Sequence, residues 1–529
     1  MKPTNFELTV KARSAGVQLE REQMHDYQNE DVAFFKAHPF SFGLIGIGMG
    51  KTVTAGTLLH DLIIDGLDDQ ILVLGPIPVI ATSWPDEFAR WRHLACLSYV
   101  VLREDDADPR IKVAERNARR AGTSPSAAAT AVRRQIREEL ARSHAQIHFA
   151  NFEALDWLGE FWGSKWPYRV VIIDEASLLK SHKSGRWNML KRYAISHGYI
   201  TRMHLLTGTP ASEGLESFFP LTFLLDKGER FGKFITKFQQ EYFIQNKYSF
   251  KLTPRADSTE RITAKIADIT TVRRRQDHFD VKDPLIVQRR ITLTPAEMAM
   301  YESMRDDYIV QLPEGQEIEA ETAAALSQKL CQMASGVLYE TVLREPEGYD
   351  PDDDDREDLI KERRVHTVHD HKIVMLRQII DELQGEPLLV SYQHRSSLDR
   401  LVKAFPKGVK WDKTGKSKAP WNAGKIKLMF MHPRSGGHGN NLQQGGSKIV
   451  FFDTPWSRDQ FEQLIGRLDR QGQKNDVTVF LLVAAGTVDE TIAKAQQEKK
   501  DAEEAVFKSL RRYIAKRRKL IKLEVEDDL

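Results

Sequence analysis

Short apolar runs that stop abruptly at glycine, proline or acidic residues recur along this chain, each followed by a stretch of helical periodicity. Phe42–Ile45, Ile71–Leu74, Ala145–Ala150, Tyr168–Ile173 and Met203–Leu206 are runs of four to six residues. Such runs are short for buried helices and suit strands covered on both faces. Their alternation with helical segments predicts a doubly wound parallel sheet whose ligand groups lie along its C-terminal edge. Pro387–Tyr392, Lys425–Phe430, Ser447–Phe452 and Val477–Leu482 predict a second sheet of the same kind. The expected fold class is therefore α/β, with two doubly wound parallel-sheet lobes and helical insertions. Lobe one is placed at 1–228 and lobe two at 371–485. Between them fall a helical protrusion and linker at 229–300 and a helical segment at 301–370 carrying an acidic mobile loop, 345–358. A basic helix closes the chain at 486–529.

Composition changes this picture little. With 529 residues, 41% apolar and 29% charged, the chain can fill more than one core. No run is long enough to span a membrane, and the N-terminus lacks the apolar core of a signal peptide, so an intracellular protein is expected, in the cytoplasm or nucleoid of a bacterial or virus-infected cell, or in a eukaryotic nucleus. Two cysteines, Cys96 and Cys331, rule out a disulfide scaffold. A net charge of +2 carries no argument for a polyanionic partner, but its distribution does. Residues 110–142 hold nine Lys or Arg against three Glu, and 508–522 hold eight without an acid. Each reads either as a solvated helical face or as a nucleic-acid contact.

The chemistry concentrates at the strand ends. Gly46, Gly48 and Gly50 leave no Cβ in the way of an anion, so the backbone N–H groups of the loop, Met49 included, can curl around phosphates. The following helix adds its positive end; Lys51 can reach the β/γ oxygens and the Thr52 hydroxyl can ligate Mg²⁺. Asp174 and Glu175 end a strand, where the first can hold Mg²⁺ through water and the second can polarise a water molecule. Gln28 carries a donor and an acceptor side by side, matching the N6 and N7 edge of adenine, although alone it reads as a surface amide. In Gln463–Gln473, Gln463, Arg467 and Arg470 are expected on one helix face, with the arginines poised for a γ-phosphate. The glycine-rich stretch from His432 to Leu442 reads as a phosphate-meeting loop.

Taken in order, these stretches resemble the motifs of superfamily 2 helicase-like ATPases, most closely the Swi/Snf family. Tyr27-Gln28 is similar to the Q motif, Gly46–Thr52 to motif I, Leu74–Pro76 to motif Ia, Asp174–Ser177 to motif II, Leu206–Pro210 to motif III, Ser391–His394 to motif IV, Ser435–Leu442 to motif V and Gln463–Gln473 to motif VI. Trp84–Trp91, Arg467–Gln473 and Gly486–Glu490 carry the Swi/Snf likeness. Two departures stand out: Ile45-Gly46 replaces the usual Asp-Glu opening of motif I, and Ser177 replaces the motif II histidine while remaining able to donate one hydrogen bond toward motif III.

The resemblance implies two RecA-like lobes that close on ATP and Mg²⁺, with Gly437 also at the nucleotide and with Pro76, Ser391, Ser435, Gly436 and Asn441 on nucleic acid. It implies a monomeric motor tracking along duplex DNA, independent of sequence, and displacing or recruiting protein there. A strand-separating helicase and a low-turnover ATP-operated clamp are the competing readings.

Overall fold

The computed structural model describes residues 18–103, 108–210, 214–246, 252–279, 282–312, 317–320, 322–344, 360–412, 415–434, 441–470 and 472–527. The chain divides into two compact units, the first comprising mainly 1–280 with 501–529 and the second mainly 281–500.

In the first unit the strands β1 (Phe40–Ile45), β2 (Gln70–Leu74), β3 (Tyr99–Val101), β4 (Ile147–Ala150), β5 (Tyr168–Asp174) and β6 (Arg202–Thr207) form one parallel sheet, which is completed further along the chain. A small antiparallel pair, β7 (Phe243–Gln245) and β8 (Leu252–Pro254), precedes β9 (Thr270–Arg273). The sheet order is β3-β4-β2-β5-β6-β1-β9. Successive residues of each strand feed opposite cores: Phe42, Leu44, Leu72, Leu74, Val171 and Ile173 face one, and Ile45, Ile71, Val73, Val170 and Ile172 the other. That two-sided burial explains why these strands read as continuous apolar runs. The helices α1 (Asp26–Ala37), α2 (Lys51–Ile64) and α3 (Trp84–Arg90) are followed by a hairpin of α4 (Pro109–Arg120) and α5 (Pro125–Ala141). The hairpin has a small core of its own, built on Ile111, Ala129 and Ile136.

Strand β9 corrects the sequence reading. The segment expected as a linker and protrusion supplies the outermost strand beside β1, with Phe42 opposite Thr270 and Ile45 opposite Arg273. Its aromatic residues Phe231, Phe238, Tyr242 and Phe243 are buried in the first unit's core. A four-residue strand without a long apolar run gave no periodic signal to read.

The second unit opens with β10 (Leu285–Ile291), again inside the expected linker. Two antiparallel pairs follow, β11 (Ile309–Gln311) with β12 (Glu317–Glu319), and β13 (Val337–Arg344) with β14 (Ile360–Thr367), so the stretch expected to be helical also contains strands. The acidic stretch between β13 and β14 lies outside the described residues. Then come β15 (Leu388–Ser391), β16 (Val409–Lys410), β17 (Leu428–Met431), β18 (Lys448–Phe451) and β19 (Thr478–Ala484). The parallel sheet runs β10-β19-β18-β15-β17-β16. Its two faces also fill separate cores, Leu389, Met429, Ile449 and Val479 on one side and Leu388, Val390, Phe430 and Val450 on the other. A long helix, Val488–Asp527, closes the chain.

Candidate nucleotide site

Strand β1 ends at Ile45 and the chain turns at once through Gly48 and Gly50, both at φ +79°. Only glycine takes that conformation cheaply, and Gly50 has a second reason to be glycine: a Cβ there would lie 2.2 Å from Gln28 Nε2. The loop is held from several sides. Gly46 N–H donates to Arg273 O at 2.9 Å, and Met49 N–H donates to Gly46 O at 3.3 Å. Lys51 Nζ donates to Ile45 O at 3.1 Å, across the curl of the loop. Gly208, after β6, packs so closely that a Cβ would stand 3.4 Å from Ile45 O and Ile47 N. Four of the expected residues, Gly46, Gly50, Lys51 and Thr52, are thus brought together at the start of α2.

Gln28 is not the surface amide that it resembles in isolation. It is buried on α1, its Nε2 donating to Met49 O at 3.3 Å while its Oε1 accepts from His25 N–H at 3.0 Å. Tyr27 OH donates to the same Met49 carbonyl at 3.3 Å. The Tyr27 ring stacks on His25 and lies 4.3 Å from His278, and burial pushes its hydroxyl up to about 12. Sequence reasoning missed what anchors this helix. Asp31, fully buried, accepts from Thr271 Oγ1 at 2.6 Å and from Arg273 Nε at 2.9 Å, while Arg273 also reaches Glu30 at 2.8 Å. Arg273 therefore holds α1 through its side chain and the glycine loop through its carbonyl.

Asp174 and Glu175 lie at the end of β5, both buried, with Glu175 in the left-handed region at φ +63°. Trp84 Nε1–H donates to Asp174 Oδ2 at 3.0 Å, which fixes that carboxylate's plane. Gly75 faces it from β2, where a Cβ would sit 3.6 Å from Asp174 Cβ. The expected hydrogen bond from Ser177 toward motif III is absent among the described residues: Ser177 Oγ is buried without a partner, and Thr209 N–H turns to Thr207 Oγ1 at 3.2 Å.

In the second unit the expected helix face is corrected. The helix Arg458–Ile465 stops at Gly466, and Arg467 and Arg470 lie in the turns beyond it; of the three residues only Gln463 is helical. Side chains hold those turns. Arg470 Nε donates to Gly466 O at 2.7 Å, and Gln473 Nε2 donates to Leu468 O at 3.1 Å and to Gly446 O at 2.9 Å. Arg467 is buried, its Nε has no acceptor among the described residues, and burial together with the neighbouring Arg470 pulls its guanidinium down to about 9. A buried cation with no carboxylate beside it is costly and calls for an anion.

The expected nucleic-acid contacts fare unevenly. Pro76 is half-buried just past β2, and Asn441 is exposed, its Oδ1 accepting from Arg470 Nη1. Ser391 is fully buried at the end of β15, an inner strand, so its side chain is not on the surface where a nucleic-acid contact is expected. Ser435, Gly436 and Gly437 lie outside the described residues.

Among the described residues no three or more His, Cys, Asp or Glu side chains cluster to cage a metal ion. Mg²⁺ asks for no such cage, because beside a nucleotide it takes one or two protein oxygens, the phosphates and waters. The Thr52 hydroxyl and the oriented Asp174 carboxylate fit that requirement.

A glycine-rich phosphate loop at the head of a helix, an acid pair on the next strand but one and a second parallel α/β unit with a buried arginine define an ATP-hydrolysing enzyme of the helicase-like class. The chain belongs to the family of the SNF2-related domain, whose model matches residues 44–334. It is 31% identical over 481 residues to protein p41 of Acyrthosiphon pisum secondary endosymbiont phage 1, covering 88% of this chain and 94% of that one. It is 25% identical to the uncharacterized ATP-dependent helicase YqhH of Bacillus subtilis, covering 86% and 73%. Among solved structures it is similar to the Sulfolobus solfataricus SWI2/SNF2 ATPase core in complex with dsDNA, at 16% identity and a TM-score of 0.39, covering 92% and 94%.

Proposed function

We propose that the enzyme couples ATP hydrolysis to translocation along duplex DNA, displacing or remodelling bound protein. The observation that carries this reading is Arg467, buried beside Arg470 without a counter-ion among the described residues, in the unit that lacks the phosphate loop. In a two-lobe ATPase of this family the γ-phosphate is the anion that such a residue would meet, so the preference of the second lobe would change with each hydrolysis event.

In the first unit, Lys51 and the loop N–H groups would bind the triphosphate, Thr52 and Asp174 would hold Mg²⁺, and Glu175 would orient the attacking water and take its proton. Mg²⁺ would neutralise charge developing on the phosphate oxygens. Tyr27 and Gln28 border the loop where the base would lie. Pro76 and Asn441 would touch the DNA backbone, which makes binding independent of sequence.

The test measures ATP turnover by wild type and Lys51→Ala, alone and with duplex DNA, single-stranded DNA or RNA, together with triplex displacement and fork unwinding. Duplex-selective stimulation that Lys51→Ala abolishes, with triplex displacement and an intact fork, is the expected result. Separation of a plain fork would replace this reading with a strand-separating helicase, in keeping with the name of the Bacillus subtilis relative. An absence of stimulated turnover would leave an ATP-operated clamp.

A further inference from the structure

The helical hairpin α4–α5 leaves the sheet at β3, its edge strand, five ladder steps from β1 and so about 24 Å from the strand that carries the phosphate loop. Several of its charges are matched: Arg110 pairs with Asp108 and Glu139, and Arg134 with Glu138. The outer face of α4 differs. Lys112, Arg116, Arg119 and Arg120 are all exposed, and none of their side chains forms an ion pair or hydrogen bond among the described residues. At about 100° per residue they fall within an arc of about 100°, on the side away from the buried Ile111 and Ala118.

Among the other exposed arginines, Arg90, Arg134 and Arg305 are paired with Glu87, Glu138 and Asp306, whereas Arg103, Arg395 and Arg434 stand singly without an ion pair among the described residues. What sets the four cations of α4 apart is that they adjoin one another in one stripe spanning about 12 Å along the helix axis, with a single acid, the half-buried Glu115, at its edge. Over that length one strand of a duplex presents about three phosphates at its axial spacing of about 3.4 Å. Three of the four residues lie in the second half of α4, away from its N-cap at Asp108.

We propose that this stripe is a second duplex contact, gripping the phosphate backbone away from the nucleotide site and lengthening the DNA footprint of the enzyme. The proposal rests on the duplex-DNA reading above. It requires geometry only of the helix face, since backbone recognition needs spaced cations and no base-reading groups.

The test is the salt dependence of duplex binding, followed by fluorescence anisotropy with a labelled duplex of random sequence. Neutralising Lys112, Arg116, Arg119 and Arg120 together to Gln is expected to reduce the slope of log K against log salt by about three, from a limit of about 0.9 per contact. Near physiological salt, affinity should fall at least about tenfold, with the thermal midpoint unchanged. A second variant, Arg134→Gln with Arg186→Gln, Arg261→Gln and Arg305→Gln, removes as many charges from ion-paired positions and is expected to retain most of the slope. An unchanged slope in the first variant, or an equal loss in the second, overturns the stripe as a contact. Loss of sedimentation with anionic phospholipid vesicles and no change on DNA would assign the stripe to a lipid surface instead. A wild type that binds no duplex at all would remove the function reading along with this one.

Discussion

Replacing Arg467 with methionine should make the protein more stable and nearly inactive. Burial and Arg470 bring this guanidinium from its ordinary range down to about 9, and no carboxylate compensates it among the described residues. At 1.36 kcal/mol per tenfold, a fall of more than three decades is an electrostatic penalty of about 4–5 kcal/mol. Methionine keeps most of the side-chain volume and removes the charge, so a gain of about 1–4 kcal/mol is expected once imperfect packing is deducted. For a unit of this size each kcal/mol moves a thermal midpoint by about 2–4 °C, readable by scanning calorimetry on the nucleotide-free protein.

The same substitution should lower ATP turnover by about 10³ or more, the usual contribution of an arginine finger. Because the folded value lies below the unfolded one, the folded state binds fewer protons than the unfolded state above about pH 9. The penalty is therefore present in full below about pH 9 and is relieved as pH rises through it. The advantage of Arg467→Met should accordingly be largest at neutral pH and narrow above pH 9. A variant that melts lower than wild type, or one that hydrolyses ATP normally, would refute the reasoning and make Arg467 a structural strut.

Three further outcomes follow from the first unit. Trp84→Phe removes the hydrogen bond to Asp174 Oδ2 and should raise the Mg²⁺ concentration for half-maximal turnover by about tenfold, with the rate recovered at high Mg²⁺; a rate that stays low at saturation would contradict an orienting role. Arg273→Met leaves Asp31 buried with only the Thr271 hydroxyl and should cost about 3–5 kcal/mol, seen as a lower melting temperature of the first unit. Gly50→Ala meets both a positive φ and Gln28 Nε2, so weakened ATP binding, measured by titration with a fluorescent nucleotide, is expected along with a loss of at least about 1 kcal/mol.

Much of this was legible in the sequence wherever one physical signal sat in one short window. Strands buried on both faces announced themselves as apolar runs, and those that carry the site ended in residues whose chemistry is unambiguous, such as Gly50-Lys51-Thr52 and Asp174-Glu175. What escaped was built from distant parts. Strand β9 is short and three of its four residues are polar, and its place beside β1 follows from tertiary pairing alone. Asp31 and Arg273 meet across 242 positions, so neither residue carries a local mark of the pair. The two arginines read as a helix face because three- and four-residue spacing suits a helix; Gly466 and the Gln473 side chain end that helix first. Ser391 stands at its motif position in the sequence, and only the sheet reveals that it is buried.

The basic hairpin is also the crossover between β3 and β4, which are parallel neighbours. A chain leaving the C-terminal end of one such strand must travel back along its length before entering the next, and this takes a dozen residues or more. The hairpin is therefore no detachable appendage, and shortening it to a tight turn would dismantle the sheet edge. Substitutions on its outer face meet no such barrier. Length and inner packing there are set by the fold, whereas the charge of the outer face can be changed without disturbing the sheet that carries the phosphate loop.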